Sequence, residues 1–186
     1  MIYEWIRQGG AMMWPIVALS LLGTMIILER AFFWIRHAWR VDSDRRDRLV
    51  VRRVLPIEED VRSPDPVVRV ASWLRLDPPR GQRLADSVLA EGARGVGALE
   101  LLASISTTLG LFGTVVGVSL SFGSISSGDP DTVLTGLSIA LYTTVFGLLV
   151  HLYCGLFAAF FHFLQERLEV SVLQVDRQFT GGGGAP

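Results

Sequence analysis

The three longest apolar stretches of this 186-residue chain contain no carboxylate. Ala11–Leu28 carries no charge across 18 residues, Leu101–Phe122 none across 22, and Val133–Leu164 only two histidines across 32. A helix needs about 20 apolar residues to cross a bilayer. We therefore predict an all-α integral membrane protein with three transmembrane helices. The missing acids exclude a proton-carrying aspartate or glutamate inside these stretches, so any such group there must come from a second protein.

Lysine is absent and cysteine nearly so. All 17 basic side chains other than histidine are arginines, and 13 of them lie between Arg36 and Arg94 together with ten acids. That mixture is typical of a solvated segment and argues against a nucleic-acid surface. Cys154 is the only cysteine, which excludes an intrachain disulfide and a cysteine metal site. No phosphate loop, metal-ligand cluster or Ser/His/Asp arrangement is visible, so we expect neither an enzyme nor a bound cofactor.

The arginines near the ends of the apolar stretches predict the topology by the positive-inside rule. We expect a bacterial inner-membrane protein with a periplasmic N-terminus and a cytoplasmic C-terminus. The first stretch lacks a basic leader and a small-residue cleavage site, so we interpret it as a retained anchor. The predicted order is an interfacial segment 1–10, transmembrane helix 11–35, cytoplasmic helical segment 36–97, transmembrane helix 98–123, periplasmic turn 124–132, transmembrane helix 133–164, and a cytoplasmic C-terminal helix with a flexible tail, 165–186.

Hydroxyl side chains recur along the second and third predicted spans. A single Ser or Thr in a membrane helix often bonds only its own i−4 carbonyl, but two adjacent spans with hydroxyls at mid-depth favour a hydrated face. Thr107, Thr114 and Ser121 follow at seven-residue steps, nearly two helical turns, and so are predicted to share one face. The predicted ion-path residues are Thr107, Thr114, Ser121, Thr143, Thr144 and His151.

Glycines at three- and four-residue steps accompany these hydroxyls. Small residues let helix backbones approach closely in lipid. The predicted helix-packing residues are Gly110, Gly113, Gly117, Gly136, Gly147 and Gly155. The short segment between the two spans contains Gly128, Pro130 and Asp131, and we expect a tight turn there with Asp131 or Thr132 capping the third span. A turn of that length predicts an antiparallel hairpin.

Two of these motifs resemble a known family. Gly110-Leu-Phe-Gly-Thr-Val-Val-Gly117 resembles the G-L-x-G-T-V-x-G stretch in the second span of ExbB and TolQ, which recurs in MotA. Ala140-Leu-Tyr-Thr-Thr-Val-Phe-Gly-Leu148 is similar to the A-L-x-x-T-x-x-G-L stretch of their last span, and Glu29-Arg30 matches the E-R pair at the exit of the first. The resemblance covers the membrane portion, about half the chain, but not the segment 36–97.

The resemblance implies a homopentameric ring around two copies of a single-span partner of the ExbD, TolR or MotB type. That partner would bring the aspartate that binds the ion. Thr114 and Thr144 match the pore positions of the family. The implied function is a stator subunit that uses an ion gradient to drive work elsewhere in the cell envelope.

The chain departs from the family pattern at two places. Ile139 stands where many ExbB and TolQ chains have a glutamate, and Ser106-Thr107 stands where an Ala-Pro pair often precedes the motif. The extra hydroxyls keep Na⁺ open beside H⁺, although family frequency favours H⁺. His151 either relays protons toward the cytoplasm or stays neutral and bonded to a neighbouring helix. A non-conducting membrane scaffold and a self-sufficient channel remain the rival functions.

Overall fold

The computed structural model describes residues 9–51, 58–125 and 129–180. These residues form helices and turns and contain no strand, which confirms the predicted all-α class. The elements are α1 (Met13–Arg40), α2 (Ser43–Arg46), a π-helical turn (Asp47–Val51), α3 (Glu58–Val61), α4 (Pro66–Leu76), α5 (Pro78–Ala93), α6 (Val96–Ile125) and α7 (Pro130–Thr180). Most of the predicted interfacial segment, three residues of the periplasmic turn and the last six residues of the tail lie outside the described residues.

Three helical stretches are long and apolar enough to cross a membrane, and they confirm the three predicted spans. They lie in Met13–Arg40, Pro78–Ser124 and Pro130–Arg177. Helix α7 runs for 51 residues without a break, about 77 Å at 1.5 Å per residue and far more than the hydrocarbon core needs. The positive φ of 77° at Gly95 separates α5 from α6.

The chain divides into two compact units. The first comprises the described residues up to Glu29 together with Gly95–Ala159. It contains most of α1, all of α6 and the first part of α7. Its small apolar core consists of Ile16, Ala103, Val150 and Cys154. Many leucines and phenylalanines of these helices point outward, as expected for a surface that faces lipid or neighbouring subunits.

The cap of α7 differs from the predicted one. Pro130 is the first helical residue, a position where its missing N–H costs nothing. Asp129 therefore takes the capping place that the sequence assigned to Asp131 or Thr132. Its carboxylate accepts from the backbone N of Asp131 at 3.1 Å and from the Thr132 hydroxyl at 2.5 Å. The Thr132 hydrogen bond lowers the pKa of Asp129 below its usual value.

The second unit comprises Arg30–Arg94 and the described part of α7 from Phe160 onward. Helices α4 and α5 pack closely, because Gly81 of α5 meets the backbone of Leu74 of α4. Both helices begin with proline after a capping aspartate, Asp65 before α4 and Asp77 before α5. Pro66 and Pro78 are thus the first residues of α4 and α5.

Candidate functional site

Helices α6 and α7 meet along a seam in which backbone touches backbone. A Cβ added at Gly117 would lie 2.5 Å from the carbonyl oxygen of Gly136 and 2.6 Å from the amide N of Ala140. A Cβ added at Gly147 would lie 2.7 Å from the carbonyl oxygen of Ser106 and 2.8 Å from the Cα of Gly110. Contacts this short leave no room for any side chain. These four glycines fix an antiparallel register between the two helices.

Thr143 is enclosed in the middle of this seam. It has no exposed surface, and a Cβ at Gly113 would overlap its Oγ1 and Cβ atoms. Its hydroxyl donates to the carbonyl oxygen of Ile139 at 2.8 Å, with the Ala140 carbonyl at 3.2 Å. Thr143 therefore fills the space that Gly113 leaves open, and its oxygen faces protein.

Ser121 lies in the same seam, near the turn between the helices. It is 4% exposed, and its hydroxyl reaches the Gly117 carbonyl at 3.1 Å and the Val133 carbonyl of α7 at 2.9 Å. Thr107 and Thr114, predicted on the same face as Ser121, are only half-buried. The difference follows from the helical repeat, because a seven-residue step falls about 20° short of two turns and the offset accumulates.

Three threonines form the edge of the seam: Thr107, Thr114 and Thr144, all half-buried. Each hydroxyl gives its proton to a carbonyl of its own helix, at 3.3 Å to Ala103, 2.5 Å to Leu111 and 3.0 Å to Ala140 respectively. The oxygen of Thr144 also lies 3.4 Å from the Gly110 carbonyl of α6. With their protons committed, the three oxygens keep lone pairs that can accept a hydrogen bond or contact a cation.

His151 connects α7 to α6 further along the seam. Its side chain is largely exposed, and its Nδ1 lies 3.0 Å from the carbonyl oxygen of Ala103. A carbonyl only accepts, so Nδ1 carries the proton in this contact and Nε2 stays available. The contact with Ala103 is the hydrogen bond to a neighbouring helix that stands as the sequence-based alternative to a proton relay.

A family model described as the MotA/TolQ/ExbB proton channel family matches residues 82–176, just over half of the chain. The chain belongs to this family. The ExbB-like 3 biopolymer transport protein of Synechocystis sp. is 31% identical over 86% of this chain and 84% of its own length. The biopolymer transport protein exbB1 of Vibrio cholerae is 30% identical over 77% and 72%. No solved structure matches the chain significantly.

The position where many ExbB and TolQ chains carry glutamate is apolar in this member of the MotA/TolQ/ExbB family. Ile139 packs close to the turn before α1, since a Cβ at Gly10 would lie 3.3 Å from its Cδ1 atom. The described residues contain no group of three or more His, Cys, Asp or Glu side chains that could hold a metal ion. Between Leu101 and Phe122 of α6 and between Val133 and Leu164 of α7, the helix pair offers threonine and histidine groups but no acid.

The structure also identifies packing contacts that sequence reasoning missed. Gly23 of α1 lies against α7, where an added Cβ would be 2.7 Å from the Sγ of Cys154. One residue further, Thr24 Oγ1 is 2.8 Å from the Tyr153 hydroxyl and donates to the Ser20 carbonyl at 2.7 Å. The Tyr153 hydroxyl also lies 3.5 Å from the Ser20 carbonyl oxygen, so both hydroxyls are within reach of one acceptor. Gly23 is the only glycine of the first span, and this was the sequence signal that could have predicted the contact.

Gly155 differs from the other predicted packing glycines. Nothing among the described residues lies within 4 Å of a Cβ added there, so it takes no part in the α6–α7 seam. Ser106, which was not among the predicted packing residues, does lie in the seam. It is fully buried, and its hydroxyl donates to the carbonyl oxygen of Ala103 at 2.8 Å. The extra hydroxyl at the Ala-Pro position of the family is thus enclosed in protein.

Proposed function

We propose that this chain is the channel-forming stator subunit of an ion-driven energy-transducing complex in a bacterial inner membrane. Its membership of a proton channel family supports the proposal. Relatives named as biopolymer transport proteins fit the same kind of work. The observation that carries the proposal is that the apolar stretches of α6 and α7 contain no acid while their edge presents half-buried threonine oxygens. The subunit would act without a catalytic centre or a resident cofactor.

A single-span partner of the ExbD, TolR or MotB type supplies the missing aspartate in this proposal. A threonine hydroxyl accepts hydrogen bonds but does not take up an additional proton at neutral pH, so the proposed proton carrier comes from another chain. We propose five copies of this chain around two copies of the partner, the arrangement known for the family. One elementary charge that crosses 100 mV releases about 2.3 kcal/mol, which drives the movement of one component against the other.

The proposed path runs from the periplasm to the partner's aspartate at mid-membrane and then past Thr114 and Thr144 toward the cytoplasm. Thr107 and His151 lie further along it. The N-terminus faces the periplasm, and the segment 36–97 and the C-terminus face the cytoplasm. H⁺ is the proposed ion. Na⁺ is the second candidate because hydroxyl oxygens also suit hard cations, although Ser106 is enclosed in protein and adds no ligand to the edge.

Replacing the two edge threonines by valine is expected to reduce ion flow. Thr114→Val and Thr144→Val keep the side-chain shape but remove the oxygen that would accept a hydrogen bond from the aspartate or from water. Loss of one such hydrogen bond, about 1.4 kcal/mol, would slow conduction roughly tenfold. Proton flux is measured with a pH-sensitive dye in proteoliposomes that contain the subunit and its co-purified partner.

Thr135→Val is the matched control, since Thr135 is exposed on α7 and donates only to the Asp131 carbonyl. It should leave the flux unchanged. Full activity of both edge variants would contradict the pore assignment. Absence of any co-purifying single-span protein would favour the non-conducting scaffold, and equal flux through the subunit alone would favour a self-sufficient channel.

His151→Asn distinguishes a proton relay through His151 from a purely structural role of its hydrogen bond to Ala103. The asparagine amide can still donate to the Ala103 carbonyl from the place of Nδ1, but it does not titrate near neutral pH. Because the hydrogen bond to Ala103 is the contact present, we expect His151→Asn to keep the wild-type flux. His151→Leu cannot form this hydrogen bond and should lower the thermal stability. A large loss of flux in the stable asparagine variant would establish the relay.

A further inference from the structure

Helices α4 and α5 of the second unit form a solvent-open cavity of about 500 Å³ that the ion path does not use. Its lining residues are Arg69, Trp73, Arg80, Arg83, Leu84 and Ser87. Arg69 and Trp73 are one turn apart on α4, and the other four recur at three- and four-residue steps along the facing side of α5. The volume lies within the usual range for small-molecule sites, about 300–1,000 Å³.

The cavity is basic although the surrounding segment has mixed charges. Three guanidinium groups line it, and no carboxylate does. Among the described residues, none of the three arginines forms an ion pair with an acid, whereas Arg45 and Arg46 in the same unit both do. Three unpaired positive charges around one concave surface create a local potential that attracts an anion.

Arg69 lines the cavity from α4. Its Nε is buried and has no hydrogen-bond partner among the described residues. Because a ligand in the cavity cannot reach this buried Nε, an anion there would accept from the other N–H groups of Arg69.

Arg80 is held in place by an aromatic ring. Its Cζ lies 3.9 Å from the centroid of Trp73. This stacking uses the flat face of the guanidinium and leaves its edge N–H groups free to donate. A second donor is therefore preorganised on the same cavity, beside the apolar surfaces of Trp73 and Leu84.

We propose that this cavity binds a phosphate group, carried by a lipid headgroup or by a free phosphorylated solute. A carboxylate satisfies one arginine fork, whereas the several oxygens of a phosphate accept from two or three guanidinium groups at once. The apolar wall of Trp73 and Leu84 would contact the organic part of the ligand. The proposal concerns residues 69–87 alone and does not depend on the proposed ion path.

The test is isothermal titration calorimetry on the full-length chain in zwitterionic detergent. One arm titrates inorganic phosphate, a second adds phosphatidylglycerol in mixed micelles, and a third titrates acetate as the carboxylate control. We expect saturable binding in at least one phosphate arm and none with acetate. Saturation with phosphatidylglycerol alone identifies a lipid headgroup as the source, and saturation with inorganic phosphate identifies a free solute.

Arg83→Gln is the main variant, because Arg83 is exposed and its loss should not disturb folding. It is expected to weaken binding about tenfold, as is Arg69→Gln, since each removes charge-assisted hydrogen bonds. Arg75→Gln is the matched control, an exposed arginine of α4 that does not line the cavity. An equal loss in Arg75→Gln, equal binding of acetate, or no saturable binding of either phosphate source would overturn the proposal.

Discussion

Gly117→Ala is expected to separate α6 from α7 and to abolish the ion-driven activity. The added methyl would lie 2.5 Å from the Gly136 carbonyl oxygen and 2.6 Å from the Ala140 amide. Both obstacles are backbone atoms of one continuous helix, so no rotamer change relieves the overlap. Overpacking in a tight core typically costs about 1–3 kcal/mol, and the rigid neighbours put this variant at the upper end or above. Thermal unfolding of the detergent-purified protein measures the loss.

Gly155→Ala is the matched control for this experiment. It makes the same chemical change in α7 at a position with nothing within 4 Å of the new Cβ among the described residues. Its unfolding temperature should equal or slightly exceed that of the wild type, because alanine favours the helix over glycine. A Gly117→Ala protein as stable as Gly155→Ala would mean that the α6–α7 contact is looser than the glycine distances indicate.

The membrane helices and their pairing could be predicted because they depend on sequence features that extend over many consecutive residues. Uncharged runs of 18 to 32 residues decide the spans, and glycines at three- and four-residue steps predict which faces meet. Gly110, Gly113 and Gly117 do lie in the seam. The family followed from the same residues, since the motif contains both the glycines and Thr114.

The side-chain detail of the site was beyond sequence reasoning. Ser121 and Thr114 are seven residues apart, and only the accumulated angular offset of the helix places one inside the seam and the other at its edge. Thr143 and Thr144 are adjacent and equally polar, yet the first is enclosed by Gly113 and the second is half-buried. The cavity between α4 and α5 depends on how two short helices pack, which periodicity does not determine.

Asp65→Ala is expected to unfold the α2–α4 part of the second unit locally. Asp65 has no exposed surface, and its carboxylate accepts from Arg46 through Nε at 2.5 Å and Nη2 at 2.8 Å. It also accepts from the backbone N of Asp42 at 3.0 Å and of Val67 at 2.9 Å. Removing one partner of a buried ion pair costs about 3–5 kcal/mol. We expect the lower end, since the Arg46 side chain is 24% exposed.

Hydrogen–deuterium exchange localises this effect. The amides of Asp42 and Val67 lose their acceptor in Asp65→Ala and should exchange much faster, together with the rest of α4. Asp77→Ala is the control, because Asp77 caps α5 through the Arg80 amide at 3.3 Å and forms no ion pair with any residue that the structure describes. Loss of a cap alone costs about 1 kcal/mol, so its exchange should rise only within the first turn of α5. Equal effects of the two variants would mean that the Arg46–Asp65 pair adds nothing beyond the cap.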